Sequence, residues 1–425
     1  MSTDTISSVA DLAPAQDRPV ARGSRPLRPA IDLSRLGCVD LLRGLAMILM
    51  ALDHARGFFS GAGFAPENIT HTTGALFFTR WITHFCAPIF FLLAGTGGYL
   101  ALSRGKSVSQ VSRFFWTRGL WLVFLNLTVM AFAWTSLFPF LFSGVLWSLG
   151  WSMVVMAVLI RLPLPAIAAF GTVIVFTHNL LDHVNPAVFG KFSGLWLLLH
   201  GYGTFWIIPG KLDFFVLWPL LPWVGVMALG YVLGSLFQQR DWTKIVFRLG
   251  AASTALFLLL RVFNLYGNSS QNLFGVAAGP WQVQPTLALT IASFFNCLKY
   301  PASLQFLLMT LGPSLMALAW LSTIHAESPL TKLVAVFGRV PLFYYVLHLF
   351  VIRTLAVYIA LIFKQKAAWL LHGGFMVQEP PPGYGHSLLF IYAMWFAAVL
   401  FMYPLCLGFM KLKQHHADWW WLRYL

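Results

Sequence analysis

The chain has 425 residues, of which 59% are hydrophobic and only 10% are charged. Soluble domains carry about 25% charged residues, so this composition excludes a water-soluble α/β or β protein. Apolar stretches of about 20 residues, long enough to cross a ~30 Å hydrocarbon layer, recur along nearly the whole sequence. The sequence therefore predicts an all-α, polytopic bundle of transmembrane helices.

Basic residues are distributed unevenly among the polar segments that connect the apolar stretches. Of the 28 lysines and arginines, 18 fall in one alternating set of segments and four in the opposite set. Lysine and arginine accumulate in the cytoplasmic segments of membrane proteins. We therefore expect both termini to be cytoplasmic and the chain to be a multi-pass protein of the inner (plasma) membrane. The same distribution explains the net charge of +15 without a nucleic-acid partner.

Ten apolar segments are predicted to span the membrane. In chain order they cover residues 38 to 60, 76 to 102, 113 to 135, 144 to 161, 163 to 181, 213 to 237, 246 to 265, 302 to 322, 336 to 362 and 388 to 410. Two shorter pieces, 195 to 208 and 286 to 298, fit interfacial or re-entrant helices equally well, so an eleventh span stays open. We expect one membrane domain, residues 38 to 412, between a disordered cytoplasmic tail (1 to 37) and an aromatic, basic cytoplasmic tail (413 to 425).

Familiar short motifs give little guidance to function. The sequence has no GxSxG, Walker, HExxH or CxxC motif, so it does not support a serine hydrolase, an NTPase or a zinc peptidase, and no metal site is expected. The four cysteines, Cys38, Cys86, Cys297 and Cys406, lie in or beside apolar helices and are interpreted as core thiols. The stretch from Gly95 to Gly98 predicts close helix packing.

The first apolar segment carries five ionisable residues, which are costly inside a membrane and therefore functional candidates. Helical spacing places Asp40, Arg43 and His54 on one face and Asp53 with Arg56 on another, as an i, i+3 pair. The alternative is that each Asp and Arg pair only neutralises charge at one end of the helix. His54 has no such explanation, so a functional role is favoured for it.

The second apolar segment places Arg80 and His84 one helical turn apart, just before Pro88. Proline lacks the amide that would pair with the His84 carbonyl, so that carbonyl is freed. His54 and His84 lie at matching depths on antiparallel neighbours, which predicts one shared site. The alternative is a conformational proline beside a packed histidine.

Polar residues elsewhere are weaker candidates. Tyr344 and His348 lie one turn apart nearer the middle of the membrane, where they either line the floor of a cavity or form a hydrogen bond across the bundle. Asn296 with Lys299 is interpreted, like most other polar groups in that half, as a helix cap or an interhelical hydrogen bond.

Several motifs together resemble one family. They are Asp40-x-x-Arg43-Gly44, Asp53-His54, Trp81 to Phe85 with Pro88 and Ala94-Gly95, and the block from Gly338 to His348. The chain resembles a bacterial member of the heparan-alpha-glucosaminide N-acetyltransferase family, over most of the sequence after Leu36. That resemblance implies a bundle of about eleven helices.

The resemblance also implies an activity. Family members move acetyl from cytosolic acetyl-CoA to the amine of a terminal glucosamine, with a catalytic histidine in or beside the loop after the first helix. Loop position matches this histidine to His71. Because Asp53 stands where lysosomal members carry Asn, we expect His54 and His84, with Asp53, to be the catalytic residues, and His71 is the alternative. Acetyl-CoA is then a co-substrate, with no permanently bound cofactor, and the partners are the bilayer and a glycan or small-molecule acceptor. A homodimer stays open as an alternative to a monomer.

The chemistry asked of such a site is modest. A histidine deprotonates the acceptor amine or hydroxyl, or itself takes the acyl group, and fixed donors such as Arg80 stabilise the oxyanion. The competing hypothesis is a proton-coupled solute transporter that uses His54, His84 and Asp53, because buried histidine and aspartate also form proton relays.

Overall fold

A computed structural model describes residues 34–136, 139–268, 272–273, 276–324, 328–416 and 418–424. The predicted tail of residues 1 to 37 therefore lies outside the described residues up to residue 33. The helices are α1 (Ser34–Phe59), α2 (Gly74–Ser103), α3 (Val108–Thr135), α4 (Val145–Leu159), α5 (Leu164–His183), α6 (Pro186–Leu199), α7 (Leu221–Leu236), α8 (Trp242–Val262), α9 (Leu287–Phe295), α10 (Leu304–Leu321), α11 (Pro329–Arg339), α12 (Pro341–Ile362), α13 (Ala368–Leu371) and α14 (Leu388–His415).

The strands are short and are confined to connecting segments. They are β1 (Phe142–Ser143), β2 (Gly203–Ile208), β3 (Leu212–Val216), β4 (Asn272–Leu273) and β5 (Val276–Ala277). Strand β3 is central in the first sheet, parallel to β1 and antiparallel to β2, and β4 pairs with β5 in a separate hairpin. The Ser143 hydroxyl accepts hydrogen bonds from the backbone amides of Leu217 and Trp218, at 2.9 and 3.0 Å. These bonds fix the end of β3 beside the helix bundle.

The transmembrane helix bundle predicted from composition is confirmed. Within the described residues, seven helices are long and apolar enough to cross a membrane: α2, α3, α5, α8, α10, α12 and α14. Helices α4, α6 and α7 are apolar but shorter, and α1 has 26 residues with charges near both ends. Each of the ten predicted spans overlaps one of these helices, so the chain is a multi-pass membrane protein. The predicted start at residue 213 was wrong, because Leu212–Val216 pair as strand β3 and α7 begins only at Leu221.

Small residues set the closest helix crossings. A methyl group added at Gly95 of α2 would lie 2.0 Å from the Met227 carbonyl oxygen of α7, and one at Gly230 would lie 2.0 Å from the Leu92 carbonyl oxygen. The hydroxyl of Thr96 donates to the Gly230 carbonyl at 2.9 Å. Glycine pairs of this kind let two membrane helices approach closely, which confirms the packing predicted for Gly95 to Gly98.

Helix α1 lies at the centre of the contacts that build the site. It packs against α2, α10, α11, α12 and α14, and residues such as Ala55 and Phe58 in its second half are fully buried. Thr73 caps the N-terminus of α2 by accepting a hydrogen bond from the Leu76 amide at 3.2 Å. A 3₁₀ turn at Ile82–Phe85 then interrupts α2 just before Pro88. The ionisable residues of α1 and α2 thereby face each other.

Candidate functional site

A cavity of about 610 Å³ lies between the second half of α1, the first half of α2 and nearby connecting segments. Small-molecule sites have volumes of roughly 300 to 1,000 Å³. The acidic, basic and histidine side chains in the wall are Asp53, His54, Arg56, Glu67, Arg80, Lys299 and Glu379. Aromatic rings in the wall are Phe64, Phe90, Trp134, Phe142, Trp218, Tyr300, Tyr345 and Phe375. The cavity wall is therefore rich in aromatic rings, and its charged side chains lie on α1, on α2 and in the connecting segments.

Two histidines contact each other at the cavity: His54 lines the wall, and His348 lies behind it. Nδ1 of His54 lies 2.6 Å from Nε2 of His348 on α12. Nδ1 of His348 lies 2.8 Å from the backbone carbonyl oxygen of Tyr344, one turn earlier. Both imidazoles are buried, and the Trp134 ring packs edge-on against His54 at 4.8 Å between centroids. The position of the His54 ring is therefore fixed from two sides.

This hydrogen-bond chain determines where the protons lie when both rings are neutral. A carbonyl oxygen only accepts, so Nδ1 of His348 carries a proton and its Nε2 accepts. Nδ1 of His54 must then donate, which leaves Nε2 of His54 with its lone pair, on a side chain that lines the cavity. An imidazole held in this tautomer can act as a general base or as a nucleophile.

A chain of alternating charges runs beside the histidine pair. Arg56 lies 3.1 Å from one oxygen of Asp53, and Arg80 pairs with the other oxygen. Nε of Arg80 also donates to Glu67 at 2.7 Å, and Nε2 of His84 lies 3.4 Å from the same Glu67 oxygen. Each buried charge has an opposite neighbour, without which its desolvation would be costly. The network joins α1, α2 and the loop between them.

Glu67 is a site residue that the sequence analysis missed. Burial alone would raise the pKa of Glu67, but the Arg80 guanidinium and a hydrogen bond from His84 outweigh burial and hold that pKa well below its ordinary value. The Asn296 amide donates to the Glu67 backbone carbonyl at 3.0 Å, which ties the loop to the segment after α9. Charge balance was the available signal, because Arg80 and His84 in an apolar helix need a carboxylate nearby.

The structure brings some predicted residues to the cavity and places others behind it. His54, Asp53 and Arg80 line the wall. His84 is buried and contacts the wall residue Glu67, whereas His54 contacts His348, so the two histidines predicted to share a site have different partners. Tyr344 is fully buried, with its ring stacked on His348 at 5.1 Å, and its hydroxyl has no hydrogen-bond partner among the described residues.

Three other predicted residues lie away from the cavity wall. His71 is exposed in the loop before α2, where Nδ1 lies 2.8 Å from the Thr70 hydroxyl. Asp40 and Arg43 lie in the first half of α1, near its other end, and form an ion pair at 3.4 Å. Nothing in these positions tests the roles predicted for them, which stay predictions.

Arg353 of α12 holds two of the segments that line the cavity. Its guanidinium donates to the carbonyl oxygens of Phe132 and Ala133, at 3.0 and 3.1 Å, and through Nε to that of Leu370 at 3.0 Å. The first contact fixes the end of α3 next to Trp134. The second fixes α13 ahead of the segment that carries Phe375. Arg353 thus orders both sides of the wall around His54.

Metal chemistry has no visible ligand set in the part of the chain that the structure describes. No group of three or more His, Cys, Asp or Glu side chains there has the geometry of a metal site. All four cysteines are buried free thiols. The expectation of a metal-free site stays a prediction.

Comparison with known proteins identifies a family for the part of the chain that includes α1 and α2. A sequence model described as heparan-alpha-glucosaminide N-acetyltransferase, catalytic, matches residues 35–270, more than half of the chain. A search of curated proteins found no match. The matched range includes His54, Asp53, Glu67 and Arg80, whereas Lys299 and His348 lie beyond it.

Proposed function

The chain belongs to the heparan-alpha-glucosaminide N-acetyltransferase family, and on that premise we propose that it transfers acetyl from cytosolic acyl-CoA to an acceptor in the cell envelope. The acceptor offers an amine or a hydroxyl on a sugar or small molecule, and the enzyme lies in the inner membrane. One observation carries the proposal for the site: the hydrogen-bond chain from Tyr344 through His348 to His54, which leaves an unprotonated nitrogen at a cavity wall.

In the direct route His54 is the general base. Its Nε2 takes the proton of the acceptor amine or hydroxyl as the acceptor atom attacks the thioester carbonyl carbon. The tetrahedral oxyanion then collapses, the carbon–sulfur bond breaks, and the proton passes from His54 to the sulfur of CoA. The products are the acetylated acceptor and free CoA. His348 supports this cycle, because it accepts a hydrogen bond from Nδ1 of His54 throughout.

In the alternative route His54 is the acyl acceptor. Nε2 attacks the thioester carbonyl, CoA leaves, and the acetyl-imidazole passes its acyl group to the amine or hydroxyl. Rapid acid quenching of the enzyme with radiolabelled acetyl-CoA separates the routes. Label retained on the peptide that contains His54 supports the covalent route, and its absence during steady turnover supports the direct one.

The neighbouring charges have separate proposed roles. Asp53 lies next to His54 in sequence and stabilises the imidazolium that forms during proton transfer. Arg80 is bonded to both Asp53 and Glu67, so its charge is already balanced, and we assign it to positioning Asp53 rather than to the oxyanion. These assignments revise the oxyanion role expected for Arg80 from the sequence.

We place the cavity on the outer side of the membrane, because loops that the charge distribution predicts to be outside line it. In this proposal cytosolic acyl-CoA reaches His54 from the opposite side, through the helix bundle. Cysteines introduced at Ser60 and at Lys413 report the orientation through an impermeant thiol reagent applied to intact cells. The four native cysteines are buried and give a low background. Labelling at position 60 alone supports the orientation, and labelling at position 413 alone reverses it.

The decisive experiment for the function is acetyl-CoA turnover by detergent-purified protein, with a panel of amino sugars and hydroxylated envelope glycans. His54→Ala should lose ~10²-fold to 10⁴-fold of the rate, as for a catalytic base. His71→Ala and His84→Ala test the alternative bases, and His415→Ala, at an exposed position on α14, is the matched control. Absence of any acyl-CoA binding by the wild type contradicts the proposal.

A proton-coupled transporter is the second candidate, and the alternating network from Arg56 to His84 is the observation that favours it. Buried ionisable residues in membrane proteins also form proton pathways. Proteoliposomes with an imposed pH gradient distinguish the two functions. Solute uptake that depends on Asp53 and His84, without thioester turnover, would replace the acyltransferase proposal.

A further inference from the structure

Lys299 differs from the other cations in the cavity wall. Arg56 is paired with Asp53, and Arg80 is paired with Asp53 and Glu67. Among the residues that the structure describes, no carboxylate lies within ion-pair distance of the Lys299 ammonium. Yet Lys299 is only 9% exposed and lines the cavity. A buried charge without an opposite neighbour is costly, so the position indicates a partner that a ligand supplies.

Two aromatic rings frame the Lys299 ammonium. Nζ lies 5.5 Å from the centroid of Trp218 and 5.3 Å from that of Tyr300, and both rings line the same cavity. Cation–π contacts hold a cation in place but do not neutralise its charge. The rings therefore fix the ammonium in the wall and leave it available to an anion.

The charge balance of the wall agrees with this interpretation. Within the cavity wall, Asp53 and Glu67 face three cations, and Glu379 is an exposed residue of the segment before Pro380. Lys299 lines the same cavity as Asp53 and His54. An anion bound at Lys299 would thus occupy the same cavity as the reactive nitrogen of His54.

The segment that carries Lys299 is held by buried hydrogen bonds. Arg261 of α8 donates to the carbonyl oxygens of Ser293 and Asn296, at 2.8 and 3.1 Å. The Asn268 side chain accepts from the Leu298 amide at 2.8 Å. Lys299 itself forms an isolated β-bridge with Ala302. Its ammonium is therefore presented by a fixed backbone, as a binding site requires.

We propose that Lys299, with Trp218 and Tyr300, is an anion subsite that takes a phosphate or carboxylate group of the ligand. The body of the ligand packs against the two rings while its reacting group reaches His54. This inference rests on the proposed function in one respect only, that the ligand is the acyl donor or the acyl acceptor. The anion belongs either to the nucleotide end of the CoA ester or to an acidic acceptor.

The first test measures binding without turnover. Calorimetric titration of the purified protein with inorganic phosphate and with acetate is carried out for wild type, Lys299→Met, Lys299→Arg and the control Lys211→Met, an exposed lysine between β2 and β3. We expect Lys299→Met to lose at least tenfold in affinity for one of these anions, while Lys299→Arg and Lys211→Met retain it. Equal binding by Lys299→Met and wild type, or no binding by wild type, overturns the subsite.

The second test identifies the source of the anion. If the donor supplies it, Lys299→Met raises KM for acetyl-CoA about tenfold and leaves KM for S-acetyl-pantetheine, which has no phosphate, unchanged. If the acceptor supplies it, the variant raises KM for a phosphorylated or carboxylated sugar and leaves that of its neutral counterpart unchanged.

The two proposals can fail separately. Normal kinetics of Lys299→Met with every substrate, in a wild type that turns over acetyl-CoA, contradicts the subsite and leaves the proposed function intact. Lys299-dependent anion binding by a wild type that never consumes a thioester supports the subsite and contradicts the acyltransferase.

Discussion

The two ends of α1 carry the same short pattern, an aspartate followed three residues later by an arginine, yet the bundle treats them differently. Asp40 and Arg43 form one pair at 3.4 Å, with side chains 26% and 23% exposed. Asp53 and Arg56 form the other at 3.1 Å, with side chains 17% and 13% exposed. Spacing alone therefore predicts a pair at each end of the helix and does not predict which pair lies at a site.

The surroundings of each pair decide its role. At the first end, Arg43 donates to the Gly338 carbonyl at 3.1 Å, and Arg339 approaches Asp40 at 3.6 Å, so the charges fasten α1 to α11. At the second end, Asp53 also forms an ion pair with Arg80. Its sequence neighbour His54 is hydrogen-bonded to His348 and lines the cavity. The charges at the first end of α1 hold two helices together, whereas those at the second end line the cavity beside His54.

The largest predicted difference between the two ends is in turnover. His54→Ala should lower kcat by ~10²-fold to 10⁴-fold, because the base is removed. Asp40→Asn, at the packing end, should leave kcat per folded molecule unchanged. Steady-state acetyl-CoA consumption by matched amounts of monodisperse protein measures both. Comparable losses in the two variants would show that the ends do not differ in the way described.

The next difference is in stability. Asp53→Ala leaves Arg56 without its partner in a buried network, and breaking such a pair costs ~3–5 kcal/mol. Asp40→Ala breaks a partly exposed pair, which is worth about 0–1 kcal/mol. Thermal denaturation in detergent should therefore show a large drop in Tm for the first variant and a small one for the second. Equal drops would contradict the comparison.

A substitution at the packing end should have the opposite signature. A methyl group at Gly338 would lie 1.9 Å from the Asp40 carbonyl oxygen, so Gly338→Ala must push α11 away from α1, at a cost of ~1–3 kcal/mol. We expect a lower Tm with unchanged KM for the molecules that remain folded. A raised KM for acetyl-CoA would show that this crossing also shapes the site.

The smallest predicted effect is a dependence on pH at the site end. Because Arg80 and His84 hold the pKa of Glu67 below its ordinary value of 4.5, Glu67 stabilises the fold above that pH, and the contribution is lost as pH falls through the lowered pKa. Glu67→Gln should cost about 1 kcal/mol at neutral pH.

Thermal denaturation of wild type and Glu67→Gln across pH 7 to 3 tests this dependence. The difference in Tm should stay constant down to about pH 5 and shrink below the ordinary pKa, as linkage requires. A difference that widens in acid would reverse the sign of the argument.

The fold was predictable because a bilayer demands long apolar helices, and the ten predicted spans overlap helices. The boundary at residue 213 was wrong, since residues Leu212–Val216 form β3 and α7 begins at Leu221. Phe214, Phe215 and Val216 are as apolar as a helix, and composition does not distinguish the two in a short run. Pairing with β1 and β2 decided the outcome.

The site was predictable only in part. Unusual charges in apolar helices identified His54, Asp53 and Arg80 as candidates. The partner of His54 lies 294 residues away, and no local pattern predicts such a contact. Glu67 lies in a loop, where periodicity carries no information. Lys299 was interpreted as part of a helix cap or an interhelical hydrogen bond, because its aromatic frame forms only when the distant Trp218 meets the segment of Lys299 and Tyr300.

The central claim is that the acyl group is transferred beside Nε2 of His54, and a structure with a bound donor tests it most directly. The donor should be a ketone analogue of acetyl-CoA, in which a methylene replaces the thioester sulfur and transfer cannot occur. The account predicts the acyl carbonyl carbon inside the cavity, within reach of His54, with room for an acceptor atom about 3–3.5 Å from that carbon. An acyl group bound outside this cavity, or separated from His54 by the Arg80 and Glu67 network, would contradict it.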